Sequence, residues 1–162
     1  RDFCLSRGLG DVYKRQHINR LNNADDTFLV GVIMLDLNNL KRVNDTLGHE
    51  MGDRYMESFS AILAGMQNER ISAYRIGGDE FCVILEKTNA VEIHQILDSL
   101  ERKINVYNEK NNIKISYAKG CEISTREHYY LMEELTKRAD SRMYENKRLM
   151  KGKRLDGRRL NV

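Results

Sequence analysis

The chain has 162 residues, of which 41% are hydrophobic and 31% are charged, and this suits one globular domain. The formal net charge of +3 is too small to indicate a nucleic-acid partner, and no apolar run is long enough to span a bilayer. The three cysteines show no metal-ligand spacing. We therefore expect a cytoplasmic location, for a domain that can belong to a larger, membrane-anchored protein.

The two ends of the chain are predicted to lie outside the folded domain. Residues 1–16 show no apolar periodicity, and their last six residues resemble the translation of a sequencing adapter. We interpret residues 1–16 as a non-native leader, with an ordinary unordered leader as the alternative. Residues 152–162 are rich in lysine and arginine and are predicted to form a basic, solvated tail.

Apolar patterning predicts the elements between these ends. Residues 17–28 are predicted to hold the end of a helix and a loop. The apolar, β-branched run over residues 29–37 predicts a central strand buried on both faces. The remaining predicted elements are a helix over 53–66, hairpin strands over 71–76 and 81–86, a helix over 89–110, a strand over 113–123 and a helix over 130–150.

This order of elements predicts an α+β fold. Strand, helix, hairpin, helix, strand and helix form a ferredoxin-like βαββαβ core with an antiparallel central sheet and flanking helices. In that topology the third strand lies antiparallel beside the first. Asp36, at the end of the first strand, should therefore meet Asp79 and Glu80, at the start of the third.

The predicted hairpin carries the most informative stretch, Arg-Ile-Gly-Gly-Asp-Glu-Phe over residues 75–81. Gly77 and Gly78 are expected to supply the positive φ of a tight turn and to let a ligand approach the backbone. Two adjacent carboxylates repel each other, which favours a divalent cation and a phosphate-bearing substrate at this turn. Taken alone, Gly-Gly is more often a simple hairpin turn, and an aspartate after a strand is more often a cap or turn residue.

Four blocks of sequence in order resemble the GGDEF family, the diguanylate cyclases. They are residues 36–45, 48–53, 75–81 and 138–147. The resemblance implies a fold like that of nucleotidyl cyclases and polymerase palms. It also implies that residues 17–151 form a GGDEF domain lacking its usual N-terminal segment, and that an upstream sensor domain is missing.

The resemblance implies that two GTP molecules are condensed into cyclic di-GMP and pyrophosphate by a homodimer that needs Mg²⁺ or Mn²⁺. Asp36, the carbonyl of Leu37, Asp79 and Glu80 match the metal-binding positions. The matched catalytic positions are Asp79, which would accept the proton of the 3′-hydroxyl, Glu80, and Lys41, which would steady phosphate charge.

The other matched positions would bind GTP. Asn44 and Asp53 match the readers of guanine, whose donors and acceptors suit an amide and a carboxylate. The backbone N–H groups of Asn39 and Leu40 would cradle phosphate. The remaining matched contacts are His49, Gly78, Lys147 and Lys151. Taken alone, the last two are more often solvated residues near the end of a helix.

The chain departs from the family pattern at several positions. Asn38 stands where the family has a second aspartate, and Leu40 stands where it has phenylalanine. The Arg-x-x-Asp of the family's product-inhibition site is matched by Asn68 and Ile71, which predicts no feedback inhibition there. The alternatives to a cyclase are a non-catalytic GTP-binding or regulatory module and a structural domain without ligand. A structural domain without ligand would give no reason for acidic residues to cluster beside the Gly-Gly pair.

Overall fold

The computed structural model describes residues 10–23 and 29–159, with side chains over 11–23 and 29–152. No helix in this part of the chain is both long enough and apolar enough to cross a membrane. Its elements in chain order are α1 (Gly10–Asn22), β1 (Val30–Leu37), α2 (Leu40–Leu47), α3 (His49–Ala64), β2 (Ile71–Arg75), β3 (Glu80–Glu86), α4 (Ala90–Lys110), β4 (Tyr117–Ser124) and α5 (Met132–Arg159).

The four strands form one antiparallel sheet in the order β2-β3-β1-β4. This order confirms the predicted ferredoxin-like α+β core. Strand β1 is central, because it pairs with β3 on one side and β4 on the other. All eight of its residues are buried, as its continuous apolar run predicted.

Helices cover both faces of the sheet. Because side chains alternate along a strand, β1 contributes to two separate hydrophobic layers. Ile33, Leu35 and Leu37 pack with residues of α3 and α4, and Phe59 of α3 makes an edge contact with Phe81, with ring centroids 5.0 Å apart. The other layer joins alternate β1 residues to α5 and to Leu21 of α1. Asp36 follows the alternation onto this second face, below α5.

Two elements differ from the sequence prediction in the region after β1. Helix α2 was not predicted, because it is only eight residues long and its apolar residues, Leu40, Val43 and Leu47, are few. Helix α3 begins at His49, so the helix predicted from residue 53 starts one turn earlier. The two helices together form a corner that follows directly on the end of β1.

The C-terminal half also differs in its boundaries. Residues 113–116 alternate apolar and polar side chains, which predicted a strand, but β4 begins at Tyr117. The amide of Ile115 is bonded to the side chain of Asn108 instead, at 2.7 Å. Helix α5 begins at Met132 and its backbone continues to Arg159, through most of the predicted basic tail.

Helix α1 is fastened to the sheet by a buried histidine. Nδ1 of His17 lies 2.7 Å from the hydroxyl of Tyr74, and Nε2 lies 2.9 Å from a carboxylate oxygen of Glu86. The helix begins at Gly10, earlier than the sequence indicated, so it includes part of the segment interpreted as a leader. That interpretation and the domain boundaries stay predictions. Residues 1–9, 24–28 and 160–162 lie outside the described residues.

Candidate functional site

The carboxylates of two distant segments converge at one end of the central strand. Asp36 of β1 stands opposite Glu80 of β3 in the sheet register. The amide of Leu37 donates to the carbonyl of Asp79 at 2.7 Å. This pairing confirms the convergence predicted from the topology. We call this set of residues, Asp36, Leu37, Asp79 and Glu80, the acidic corner.

Asp36 is the buried member of the acidic corner, with only 5% of its surface exposed. Its Oδ2 accepts a hydrogen bond from Nζ of Lys147 on α5, at 2.5 Å. Its Oδ1 is buried and has no hydrogen-bond partner in the described part of the chain. A buried carboxylate oxygen left in this way is destabilising, and a bound cation would satisfy it.

The ligand set at the corner is incomplete for a preformed metal cage. Over residues 10–23 and 29–159, no group of three or more His, Cys, Asp or Glu side chains is placed to hold a metal ion. The residues fit Mg²⁺ nevertheless, since this ion takes one or two protein carboxylates and completes its shell with water and substrate phosphates. The orphaned Oδ1 of Asp36 is the atom that fits such an ion.

Glu80 experiences an excess of negative charge. Burial, followed by the charges of Asp79 and Asp36, raises the pKa of its carboxyl, while Lys147 lowers it. Asp140 of α5 adds a further negative charge. The lysine therefore offsets only part of the negative charge at the corner, and a second cation would be favourable there.

The hairpin turn beside the corner uses its glycines differently from the prediction. The expected positive φ at Gly77 and Gly78 is wrong, because Gly48 is the only described glycine with a positive φ. A Cβ at Gly77 would lie 2.5 Å from Oε2 and 3.3 Å from Cβ of Glu80, so a larger residue there would require the Glu80 side chain to move. The Arg75 guanidinium braces the turn, donating to the carbonyl of Gly78 at 2.8 Å and to that of Gly77 at 3.3 Å.

A groove of about 210 Å³ opens beside the corner. At its floor Asn39 adopts a left-handed conformation, with φ 66° and ψ 9°, between the end of β1 and the start of α2. Asparagine is among the residues that accept this conformation. The groove is lined by Leu37, Asn38, Asn39, Leu40, Lys41, Asp79, Lys147, Met150 and Lys151. Seven of these nine were predicted site residues, the exceptions being Asn38 and Met150.

The other predicted residues do not line this groove. Asn44 lies at the α2–α3 corner, packed so closely against Gly52 that a Cβ on the glycine would lie 1.8 Å from Oδ1 of Asn44. His49 and Asp53 are exposed in the first turns of α3. Gly78 is exposed at the hairpin. The structure thus separates a phosphate-sized groove from a polar α2–α3 corner.

The sequence did not indicate the residues that fix the position of Asn38 in the groove by hydrogen bonds. The Asn38 amide donates to the carbonyl of Ser116 at 2.8 Å, and the Asn38 side-chain amide donates to the Ser116 hydroxyl at 3.1 Å. The hydroxyl of Tyr55, on α3, donates to the carbonyl of Asn38 at 3.0 Å. Asn38 was noticed only as a departure from the family pattern, and nothing in the sequence placed Tyr55 or Ser116 beside it.

Comparison with known proteins identifies the family. A model of the diguanylate cyclase GGDEF domain matches residues 12–153. The chain is 34% identical to diguanylate cyclase DgcN of Escherichia coli over 82% of its length, and 32% identical to diguanylate cyclase DgcS of Shewanella oneidensis over 73%. It spans 33% and 39%, respectively, of those two relatives.

Solved structures show the same fold. The GGDEF domain of DgcB from Caulobacter crescentus, in complex with c-di-GMP, superposes with a TM-score of 0.75 at 20% identity, covering 85% of this chain and 84% of that one. Diguanylate cyclase SiaD of Pseudomonas aeruginosa, in complex with its activator SiaC, gives 0.74 at 21% identity, covering 85% and 54%. Since the family match includes every strand of the sheet and all four residues of the acidic corner, the chain belongs to the GGDEF domain family.

Proposed function

We propose that this chain is a diguanylate cyclase domain that joins two GTP molecules into cyclic di-GMP and releases two pyrophosphates. The observation that carries the proposal is the acidic corner, where a buried oxygen of Asp36 has no partner beside a groove lined with lysines. This arrangement suits a cation and a polyphosphate together. The family membership and the relatives named as diguanylate cyclases support the same reaction.

The reaction needs two equivalent phosphoryl transfers. In each, the 3′-hydroxyl oxygen of one GTP bonds to the α-phosphorus of the other, the bond between the α- and β-phosphates breaks, and pyrophosphate leaves. Asp79 accepts the hydroxyl proton. Lys41 and Lys151, which line the groove, stabilise the charge that develops on the phosphates. Each chain holds one GTP, so turnover requires a two-fold dimer in which two half-sites face each other.

A divalent cation would be held by Asp36 and the carbonyl of Leu37, with Asp79 and Glu80 completing its surroundings. When bound, Mg²⁺ or Mn²⁺ offsets phosphate charge and lowers the pKa of the attacking hydroxyl. Lys147 neutralises Asp36 in the described structure, and in the loaded site it is proposed to turn toward the triphosphate. The 27% exposure of its side chain leaves it room to do so.

Guanine recognition is assigned to the α2–α3 corner. Asn44 and Asp53 read the base there, with His49 as a further contact. The backbone amides of Asn39 and Leu40 cradle phosphate at the groove floor, and the exposed Gly78 lets substrate approach the hairpin. The base and the triphosphate therefore lie on either side of the β1–α2 connection.

Product analysis tests the proposed function. The full chain would be fused to a dimerising coiled coil and incubated with GTP and Mg²⁺. We expect cyclic di-GMP, with none when ATP replaces GTP or when EDTA removes the metal. If no product forms while GTP still raises the melting temperature, the chain is a GTP-binding module without turnover. If no product forms and GTP does not raise the melting temperature, the chain is neither a cyclase nor a GTP-binding module.

Replacing Lys147 by glutamine is expected to make folding stability depend on Mg²⁺. The change removes the cation that pairs with the buried Asp36 carboxylate, at a cost of about 1–3 kcal/mol in the free energy of unfolding. Adding Mg²⁺ should recover much of this loss, because the ion can replace the ammonium. Thermal melts with and without Mg²⁺ measure the effect. Lys137→Gln, on the exposed surface of α5, serves as the control, and an equal Mg²⁺ response in both variants would contradict the expectation.

Feedback inhibition at the position upstream of the hairpin is expected to be absent. Asn68 holds its own turn there, since its Oδ1 accepts from the backbone amides of Arg70 and Ile71 at 2.8 and 3.0 Å. It offers no guanidinium fork to a guanine ligand. Calorimetric titration with cyclic di-GMP should therefore show no saturable binding at this place. A saturable site that Asn68→Ala abolishes would overturn this expectation.

A further inference from the structure

A buried tyrosine sits directly behind the groove floor. Tyr55 is 2% exposed and projects from α3 toward the connection between β1 and α2. Its hydroxyl donates to the carbonyl of Asn38 at 3.0 Å and accepts from the amide of Ser116 at 3.3 Å. The carbonyl of Lys114, at 3.4 Å, is a more distant alternative acceptor. A single phenol thus joins α3, the groove floor and the segment before β4.

The acceptor on Asn38 matters because of the peptide unit to which it belongs. A carbonyl and the N–H of the next residue share one planar, trans peptide group and point in opposite directions. Fixing the carbonyl of Asn38 toward Tyr55 therefore fixes the N–H of Asn39 on the other side. Asn39 lines the groove and Tyr55 does not, so the side of this peptide opposite Tyr55 is taken as the groove side.

The neighbouring peptide groups are also fixed. The amide of Leu37 is bonded to Asp79, the amide of Asn38 to Ser116, and the carbonyl of Asn39 to the amide of Val43 at 2.9 Å. The left-handed conformation of Asn39 is uncommon outside glycine, even though asparagine accepts it more readily than most residues, and the contacts around Asn39 help to hold it. The Tyr55 hydroxyl is a side-chain contact that restricts the rotation of the 38–39 peptide.

We propose that Tyr55 is a positioning residue that aims the Asn39 N–H at the phosphates of the bound nucleotide. The inference rests on the proposed function, because it concerns the same groove and the triphosphate of GTP. It deepens that function by assigning the geometry of the phosphate cradle to a residue outside the groove. Tyr55 touches neither the substrate nor the reacting atoms.

The test compares Tyr55→Phe with the wild-type chain. Phenylalanine keeps the buried ring and removes the hydroxyl. Calorimetry would measure the binding of α,β-methylene GTP, which cannot release pyrophosphate, and of guanosine, which has no phosphate. We expect the methylene analogue to bind about 5- to 10-fold more weakly, as for the loss of one hydrogen bond, while guanosine affinity changes less than about twofold. The ¹⁵N amide resonance of Asn39 should shift as well.

Tyr107→Phe is the matched control. Its hydroxyl also makes a half-buried hydrogen bond within the helical layer, to Ser58 at 3.1 Å, and neither residue lines the groove. We expect it to leave both affinities unchanged. If Tyr55→Phe does not fold, Ser116→Ala is the second variant, because it removes the 3.1 Å hydrogen bond between the Asn38 side chain and the Ser116 hydroxyl without altering the buried core. The same selective loss is expected.

The outcomes separate the two claims. A wild-type chain that binds neither compound and forms no cyclic di-GMP would refute the proposed function, and the positioning role with it. A wild-type chain that binds both, with a Tyr55→Phe variant that binds the methylene analogue equally well, would refute the positioning role alone. Equal weakening of analogue and guanosine would also refute it, because a general loss of structure does not select for phosphate.

Discussion

Asp36→Asn is expected to reduce the kcat/KM for cyclic di-GMP formation by at least about 1,000-fold, corresponding to about 4 kcal/mol of transition-state stabilisation. Asparagine has nearly the same shape as aspartate but no charge to hold a divalent cation. The effect should therefore come from chemistry and not from misfolding. The measurement is initial-rate kinetics on the chain fused to a coiled coil, across a range of Mg²⁺ concentrations.

Folding should change little in this variant. The partner left behind, Lys147, has a side chain 27% exposed and can turn its ammonium into water. A melting temperature within a few degrees of wild type would confirm this. The matched control is Asp140→Asn, which removes an exposed carboxylate that adds to the field at Glu80 but does not line the groove. Activity of Asp36→Asn within tenfold of wild type would remove Asp36 from the mechanism.

Gly120→Ala is expected to have the largest effect on stability, at least about 3 kcal/mol in the free energy of unfolding. A Cβ at this position in β4 would lie 2.1 Å from the amide nitrogen of Met143 and 2.2 Å from the carbonyl oxygen of Ala139. Both are backbone atoms of α5, which cannot move aside as a side chain can. The helix would have to shift as a unit and carry Lys147 away from Asp36.

Gly31→Ala, in β1 of the same sheet, is the control for this prediction. Its Cβ would meet the end of the Ile93 side chain at 2.6 Å and the Thr88 methyl at 3.0 Å. Side-chain ends can rotate away, so we expect a smaller loss than for Gly120→Ala. Urea unfolding followed by circular dichroism gives both values. Equal losses in the two variants would show that the backbone contact with α5 is not decisive.

The sequence predicted the sheet and the acidic corner because both depend on strong local signals. The apolar run of β1 and the topology together implied that Asp36 meets Glu80, and the register confirms it. Helix α2 escaped prediction because it is only eight residues long and has only three apolar residues, Leu40, Val43 and Leu47. The start of β4 was misplaced because Ile113 and Ile115 alternate with polar residues as a strand would, without pairing.

The contacts that complete the groove could not be predicted, for a physical reason. The ion pair between Lys147 and Asp36 joins residues 111 positions apart. The hydrogen bond from Tyr55 to Asn38 joins helix α3 to the connection between β1 and α2. Such contacts depend on how α5 and α3 lie on the sheet, which apolar spacing does not specify. The contact between Gly77 and Glu80 is local, but the turn propensity of Gly-Gly pointed to positive φ angles that neither glycine adopts.

The long separation between Lys147 and Asp36 has a consequence for how the protein folds. Contacts between distant segments form late, because the chain between them loses conformational entropy when the loop closes, before the new contact adds any stability. Helices α3 and α4 can form early from local contacts, whereas the pairing of β1 with β4 and the docking of α5 must wait for most of the chain. Recovery of nucleotide binding after dilution from denaturant should therefore follow the slowest refolding phase and lag behind the return of helical circular dichroism.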